Sequence, residues 1–337
     1  MNWLKAMVLH NQASIESFPL TYIDFDKPFP QRNEVLVRIK CCGVCRTDLH
    51  IIEGELPTVK IPLIVGHQII GVIEDIGDNV DHGFINMRVG IPWLYWSCGE
   101  CKYCKAGLEN LCDNALFTGY SVDGGYAEYI VAHKDFIHKI PVGLDDLHAA
   151  PLLCGGAIGY RALKLTRLLG VEEGKLGLFG FGSSAHMIIQ VAISHGLDVY
   201  VFTRSKLRQE HAISLGAIWA SGPMDDPGVK LDAAIVFAPA GWVAVEALKK
   251  LDKGGRLVLA GIYMSPIEKL DYDLLWLERE IKSVANVTRR DVREFLDEAA
   301  KIRIKTTVTA YPLKDANKAL YDLKHGKLKG SAVLKVS

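Results

Sequence analysis

Four cysteines gathered in one short stretch, Cys98-Gly-Glu-Cys101-Lys-Tyr-Cys104 and then Cys112, restrict this chain more than any other feature. Gaps of two, two and seven residues let a single loop bring four thiolates onto one ion. A closed tetrahedral zinc site needs four such ligands at about 2.3 Å. The competing reading is a pair of disulfides, a device of small secreted chains. This chain has 337 residues and opens, from Met1 to Gln12, without the basic start and long apolar run of a secretory leader. The spacing therefore predicts a structural zinc lobe held by Cys98, Cys101, Cys104 and Cys112, in a cytoplasmic protein whose thiols stay reduced.

The length exceeds that of one ordinary domain, so two are expected. A formal net charge of +0 gives no footprint for a phosphate backbone, which argues against a nucleic-acid partner. No run approaches the roughly 18 apolar residues of a membrane span. Residues 1–150 carry short strand-like runs, such as 34–40 and 69–75, separated by Pro and Gly turns, and read as mostly β. From Pro151 the rhythm changes to strand 175–180, helix 183–195, strand 198–203, helix 206–215, strand 231–238, helix 243–251 and strand 255–260. That alternation predicts an α/β fold, a Rossmann-type doubly wound parallel sheet over 151–287. The remainder, 288–337, offers a helix at 291–302, a strand at 307–310, a helix at 315–325 and a strand at 331–336, and is assigned to the first domain.

Leu178-Phe-Gly180-Phe-Gly182-Ser183-Ser184-Ala185 ends an apolar strand and opens a helix, the context in which a Gly-x-Gly-x-x-Gly/Ala pattern signifies dinucleotide binding. Gly180 permits the tight turn, Gly182 leaves room for a pyrophosphate, and Ala185 lets helix and strand pack closely, with the helix N-terminus facing the phosphates. The alternative is an ordinary strand-to-helix turn. About 20 residues on, where an NAD site places an acid, stand Thr203, Arg204, Ser205 and Lys206, with Arg208 beyond. Guanidinium and ammonium groups suit a 2′-phosphate, so NADP(H) is preferred over NAD(H).

Gly43-Val-Cys45-Arg46-Thr47-Asp48-Leu49-His50 and Gly66-His67-Gln68 each set a metal-capable side chain beside a turn, and Cys154 is a candidate third ligand. Two cysteines and one histidine would leave a tetrahedral position open, the architecture of a catalytic zinc. Taken singly, a residue such as His67 or Cys154 is more often a packed or hydrogen-bonded core residue, and Thr47 and Asp48 read equally as caps of a helical turn.

Taken together and in this order, the motifs resemble those of the zinc-dependent alcohol dehydrogenases of the medium-chain dehydrogenase/reductase family, over nearly the whole chain. The resemblance implies a GroES-like domain beside the nucleotide-binding one, and two zinc ions per subunit. It assigns Cys45, His67 and Cys154 to the catalytic ion. It further implies that Thr47 meets the alcohol oxygen, His50 passes its proton to solvent, Asp48 accepts from His67 and Arg46 faces the cofactor pyrophosphate. It also implies a homo-oligomer, dimer or tetramer.

The family usually carries Glu after the ligand histidine. Here Gln68 removes that negative charge, which makes the metal the stronger Lewis acid. Gln68 is alternatively a weak transient ligand through its amide oxygen. The expected reaction interconverts primary alcohols and aldehydes by hydride transfer. Trp93, Phe117, Ile51 and Leu116 are the expected pocket walls, favouring apolar substrates. A polyol or sugar dehydrogenase, and a non-catalytic zinc-stabilised scaffold that binds nucleotide, are the rival readings.

Overall fold

The strand Glu34–Val44 is apolar at Val35, Val37, Ile39 and Cys41 along one face and at Leu36 and Cys42 along the other. With both faces apolar it is buried at the centre of a sheet. In the computed structural model, which describes residues 3–57 and 59–336, it lies inside a seven-stranded sheet. Gln68–Ile76, Tyr129–His133 and Ser331–Lys335 pair with it antiparallel. Gly43 is registered opposite Gln68, so Cys45, just past one strand, and His67, just before the other, emerge at the same end of the sheet. A three-stranded sheet of Leu20–Asp26, Trp3–Leu9 and Leu63–Ile64 and a two-stranded one of Leu94–Trp96 and Leu116–Phe117 complete the β structure that the Pro and Gly punctuation predicted.

The chain divides into two units, Met1–Cys154 with Val287–Ser337, and Gly155–Asn286. Of the ranges 1–150 and 288–337 expected for the first domain, Met1, Asn2, Thr58 and Ser337 lie outside the described residues.

In the second unit, six parallel strands stand in the order Trp219–Ser221, Asp198–Phe202, Lys175–Phe179, Leu231–Val236, Leu251–Leu259, Glu280–Ser283. Strand order reverses beside Lys175–Phe179, the position at which doubly wound sheets bind nucleotides. Two edge strands, Trp219–Ser221 and Glu280–Ser283, were not legible in the sequence because three and four residues carry no measurable alternation. The strand expected at 255–260 begins earlier, at Leu251. Its pairing with Leu231–Val236 is irregular, Leu231 facing Leu251 and Ala233 facing Arg256, so the Lys253-Gly254-Gly255 turn is absorbed within the strand. Among the described residues no helix is long and apolar enough to cross a membrane.

Phe179 and Phe202, on adjacent strands, stack with ring centroids 4.1 Å apart and are fully buried. Phe202→Ala is expected to cost about 3–5 kcal/mol, read from urea unfolding of the full chain. A loss below about 1 kcal/mol would show that the sheet closes over the gap.

Candidate active site and zinc lobe

The short helix Arg46–Ile52 begins at Cys45. Asp48 Oδ2 accepts the Cys45 backbone N–H at 2.8 Å, a capping arrangement, while its Oδ1 accepts from His67 Nδ1 at 2.9 Å. Asp48 is thus both a cap and the partner of the histidine, and the two readings of it are compatible. With Nδ1 committed as a donor, His67 Nε2 faces the Cys154 sulfur at 3.2 Å, and Cys154 Sγ lies 3.8 Å from Cys45 Sγ. Two sulfurs on a tetrahedral zinc at 2.3 Å stand about 3.8 Å apart, so the donor set fits that ion in both chemistry and spacing.

The three groups shift one another strongly. The contact with Cys154 drives the Cys45 thiol well below its usual range, against burial and with help from His67. Cys45 and burial drive Cys154 up. Burial pulls the His67 imidazole down, but Asp48 and the Cys45 sulfur outweigh it and raise it to about 10.

Around this trio, Thr47 Oγ1 lies 3.7 Å from Cys45 Sγ. His50 is buried and meets the half-exposed Glu55 carboxylate through Nδ1. Arg46 is exposed. Trp93 meets the His67 ring nearly at right angles, with centroids 5.0 Å apart, and stacks on Phe117 at 5.2 Å and Tyr120 at 5.7 Å. Of the four expected pocket walls, the structure sets Trp93 against His67 and Phe117 behind it, against Trp93. Ile51 sits in the apolar core at 2% exposure, and Leu116 is 36% exposed. Gln68 is buried, its side chain against the open face of Gly43, where a Cβ would lie 2.9 Å from its own.

Cys98, Cys101, Cys104 and Cys112 come together with their sulfurs within 4.8 Å of one another. Cys98 Sγ lies 3.9 Å from Cys104 Sγ and 3.5 Å from Cys112 Sγ. The Cys101 and Cys104 backbone N–H groups point at the sulfurs three residues earlier, at 3.4 and 3.5 Å. N–H groups of Glu100 and Cys101 bring Cys98 down to about 7. The lobe is tied down by Glu109, whose two oxygens take three side-chain contacts of 2.7 to 3.0 Å from Arg289 and one from its backbone N–H. That pair joins residues 180 positions apart and left no mark in the sequence.

In the second unit Gly180 has a φ of +92°, and Ala185 is fully buried under the sheet. Gly182 opens the helix Ser183–Ser194, and a Cβ there would meet nothing within 4 Å. The fold itself therefore does not demand glycine at 182. A pyrophosphate lying close over the turn does, and the turn fits it. Thr203 is buried, its carbonyl accepting from Gln209 Nε2 at 2.7 Å, whereas Arg204, Ser205 and Lys206 are exposed at the start of the helix Lys206–Ser214. Asp225, unnoticed in the sequence, is held by Ser221 Oγ and the Gly222 N–H, near Lys206.

Residues 31–142 match the alcohol dehydrogenase GroES-like domain. The chain is 44% identical to "Probable alcohol dehydrogenase AdhA" of Mycobacterium tuberculosis (strain CDC 1551 / Oshkosh), over 98% of this chain and 97% of that one. It is 38% identical to an alcohol dehydrogenase of Geobacillus stearothermophilus, over 96% and 99%. The crystal structure of CAD from Helicobacter pylori complexed with NADP(H) superposes with a TM-score of 0.88 at 26% identity, covering 99% of this chain and 98% of that one. The chain belongs to the zinc-dependent alcohol dehydrogenases of the medium-chain dehydrogenase/reductase family. It is an alcohol–aldehyde oxidoreductase that uses zinc and NAD(P).

His186, in the helix that follows the fingerprint, is buried, with Nδ1 against the Gly182 carbonyl at 3.3 Å. Burial lowers its pKa to about 4, against about 6.5 in an unfolded chain. Between those values the unfolded state binds a proton that the folded state refuses. Its contribution is therefore complete above about pH 6.5 and declines as the pH falls toward 4, by about 1.4 kcal/mol per unit. His186→Leu is expected to flatten the decline in urea midpoint between pH 7 and 5. An unchanged slope in the variant would contradict this.

Proposed function

We propose that the protein interconverts apolar aldehydes and their primary alcohols, with NADPH preferred over NADH and two zinc ions per subunit. The observation that carries this is the convergence of Cys45, His67 and Cys154 beside an apolar ring stack, with Asp48 fixing the imidazole. Bound there, zinc would supply Lewis acidity toward the substrate oxygen and the dinucleotide a carrier for hydride. Cys98, Cys101, Cys104 and Cys112 would hold the second ion in a purely structural role.

The chain's own groups handle the proton and the substrate. The Thr47 hydroxyl, beside Cys45, is placed to hydrogen-bond the reacting oxygen. His50 takes the proton onward, and the half-exposed carboxylate of Glu55 gives it an outlet to water. Trp93, stacked on Phe117 and Tyr120 beside His67, gives the trio an apolar aromatic neighbour, which favours an apolar substrate over a polyol.

For the cofactor, Gly180, Gly182, Ser183, Ser184 and Ala185 would cradle the pyrophosphate. Thr203, Arg204, Ser205 and Lys206 would receive the 2′-phosphate, for which exposed cations at a helix start are suited. Self-association is supported by the edge strand Glu280–Ser283 together with Ile262, Tyr263, Tyr272 and Trp276, all exposed in the segment before it. Ligand thiols must stay reduced, which suits the cytoplasm.

Steady-state rates with NADPH and NADH across a panel of aliphatic and aromatic aldehydes test the reading. Turnover that is faster with NADPH and highest for apolar aldehydes is expected, and no turnover with any aldehyde or alcohol would overturn it. Arg204→Ala is expected to raise the KM for NADPH about 10- to 100-fold, the worth of one charge-assisted hydrogen bond, and to leave that for NADH unchanged. Equal effects on both cofactors would remove Arg204 from the phosphate site.

A further inference from the structure

We propose that Tyr126 is a positioning residue of the Cys45–His67–Cys154 centre, its hydroxyl holding in place the Asp48 carboxylate that orients His67. The inference rests on the reading of that trio as a metal centre. Tyr126 lies 78 positions from Asp48 and is fully buried. Its hydroxyl donates to Asp48 Oδ2 at 3.1 Å. The same oxygen accepts from the Cys45 backbone, and Oδ1 accepts from His67. One inaccessible carboxylate therefore gathers a donor from each of two ligand-bearing segments, and Tyr126 supplies a third.

The tyrosine also grips His67 from behind. Its backbone N–H donates to the Val65 carbonyl at 3.0 Å, and the Gly125 N–H donates to Gly66 O at 2.9 Å. Gly66 has a φ of +101°, and a Cβ on it would fall 2.3 Å from Tyr126 Cδ1, so the ring is laid directly on the backbone that leads into His67. Tyr126 O accepts from the Met7 N–H at 2.8 Å, which ties the whole arrangement to the strand Trp3–Leu9.

The hydroxyl acts as a donor throughout the working range, because burial and then the Asp48 charge push its ionisation well above that of an ordinary tyrosine. Removing one donor from a buried carboxylate costs that hydrogen bond and leaves an oxygen short of a partner. The carboxylate then holds the Nδ1–H of His67 less firmly, and with it the tautomer that leaves Nε2 free for metal. Tyr126→Phe removes only the oxygen and keeps the ring over Gly66.

Zinc release from the purified full-length protein into excess chelator tests this. Wild type, Tyr126→Phe, Asp48→Asn and the double variant are compared, and the release phase that disappears in Cys154→Ser is assigned to the trio. Tyr126→Phe is expected to speed that phase about tenfold, the lower end for an outer partner of a metal-ligating histidine. The phase assigned to the four-cysteine lobe should not move. Combining Tyr126→Phe with Asp48→Asn should change nothing beyond Asp48→Asn alone, since the hydroxyl acts through Asp48. Release at the wild-type rate, equal acceleration of both phases, or additive effects in the double variant would overturn the proposal. Wild-type protein with no phase sensitive to Cys154→Ser would instead overturn the metal-centre reading itself.

Discussion

The carboxylate of Asp48 is the interaction on which the site depends. It starts a helix by accepting the Cys45 N–H, and it fixes an imidazole on the neighbouring strand by accepting from His67 Nδ1. It thereby ties together two segments from different parts of the sheet, Cys45 following one strand and His67 preceding another. Burying an anion so completely is costly unless its oxygens are satisfied. Here Cys45, His67 and Tyr126 do so.

The sheet register makes that junction possible. Gly43 opposite Gln68 brings two strand ends level, and the absence of a side chain at Gly43 leaves space that Gln68 fills. Cys154 arrives from a different direction, at the end of the short helix Ala150–Leu153, whose four residues are all buried. A rigid β framework thus aims three soft donors from loops and strand ends, the usual division of labour between scaffold and chemistry. The four-cysteine lobe repeats the logic locally, because its cysteines come from one loop, with backbone N–H groups on their sulfurs and the Glu109–Arg289 pair beside them.

What could be read in the sequence follows from the distance over which each feature is encoded. The lobe cysteines and the Gly180–Ala185 turn are compact patterns in which spacing alone fixes geometry, and the parallel sheet showed itself through alternating strand and helix periods. Tyr126 and the Glu109–Arg289 pair act over 78 and 180 positions, and nothing near them in the chain marks their partners. Glu55 lay within reach, five residues after His50, but an acid in a polar loop has no distinguishing pattern. Ile51, expected on a pocket wall, is 2% exposed, and because every residue of Arg46–Ile52 after Arg46 is buried, no exposed stripe shows which side of that helix would face a ligand. The short edge strands were hidden for want of length.

Whether Cys45, His67 and Cys154 hold one zinc, apart from that of the four-cysteine lobe, is decided by X-ray absorption at the zinc edge on protein of measured metal content. A four-sulfur site and a site with two sulfurs average to about three sulfurs per zinc, with the remainder nitrogen or oxygen. Two zinc ions per subunit with that mean shell are the expected result, and a single ion ringed by four sulfurs would contradict the account.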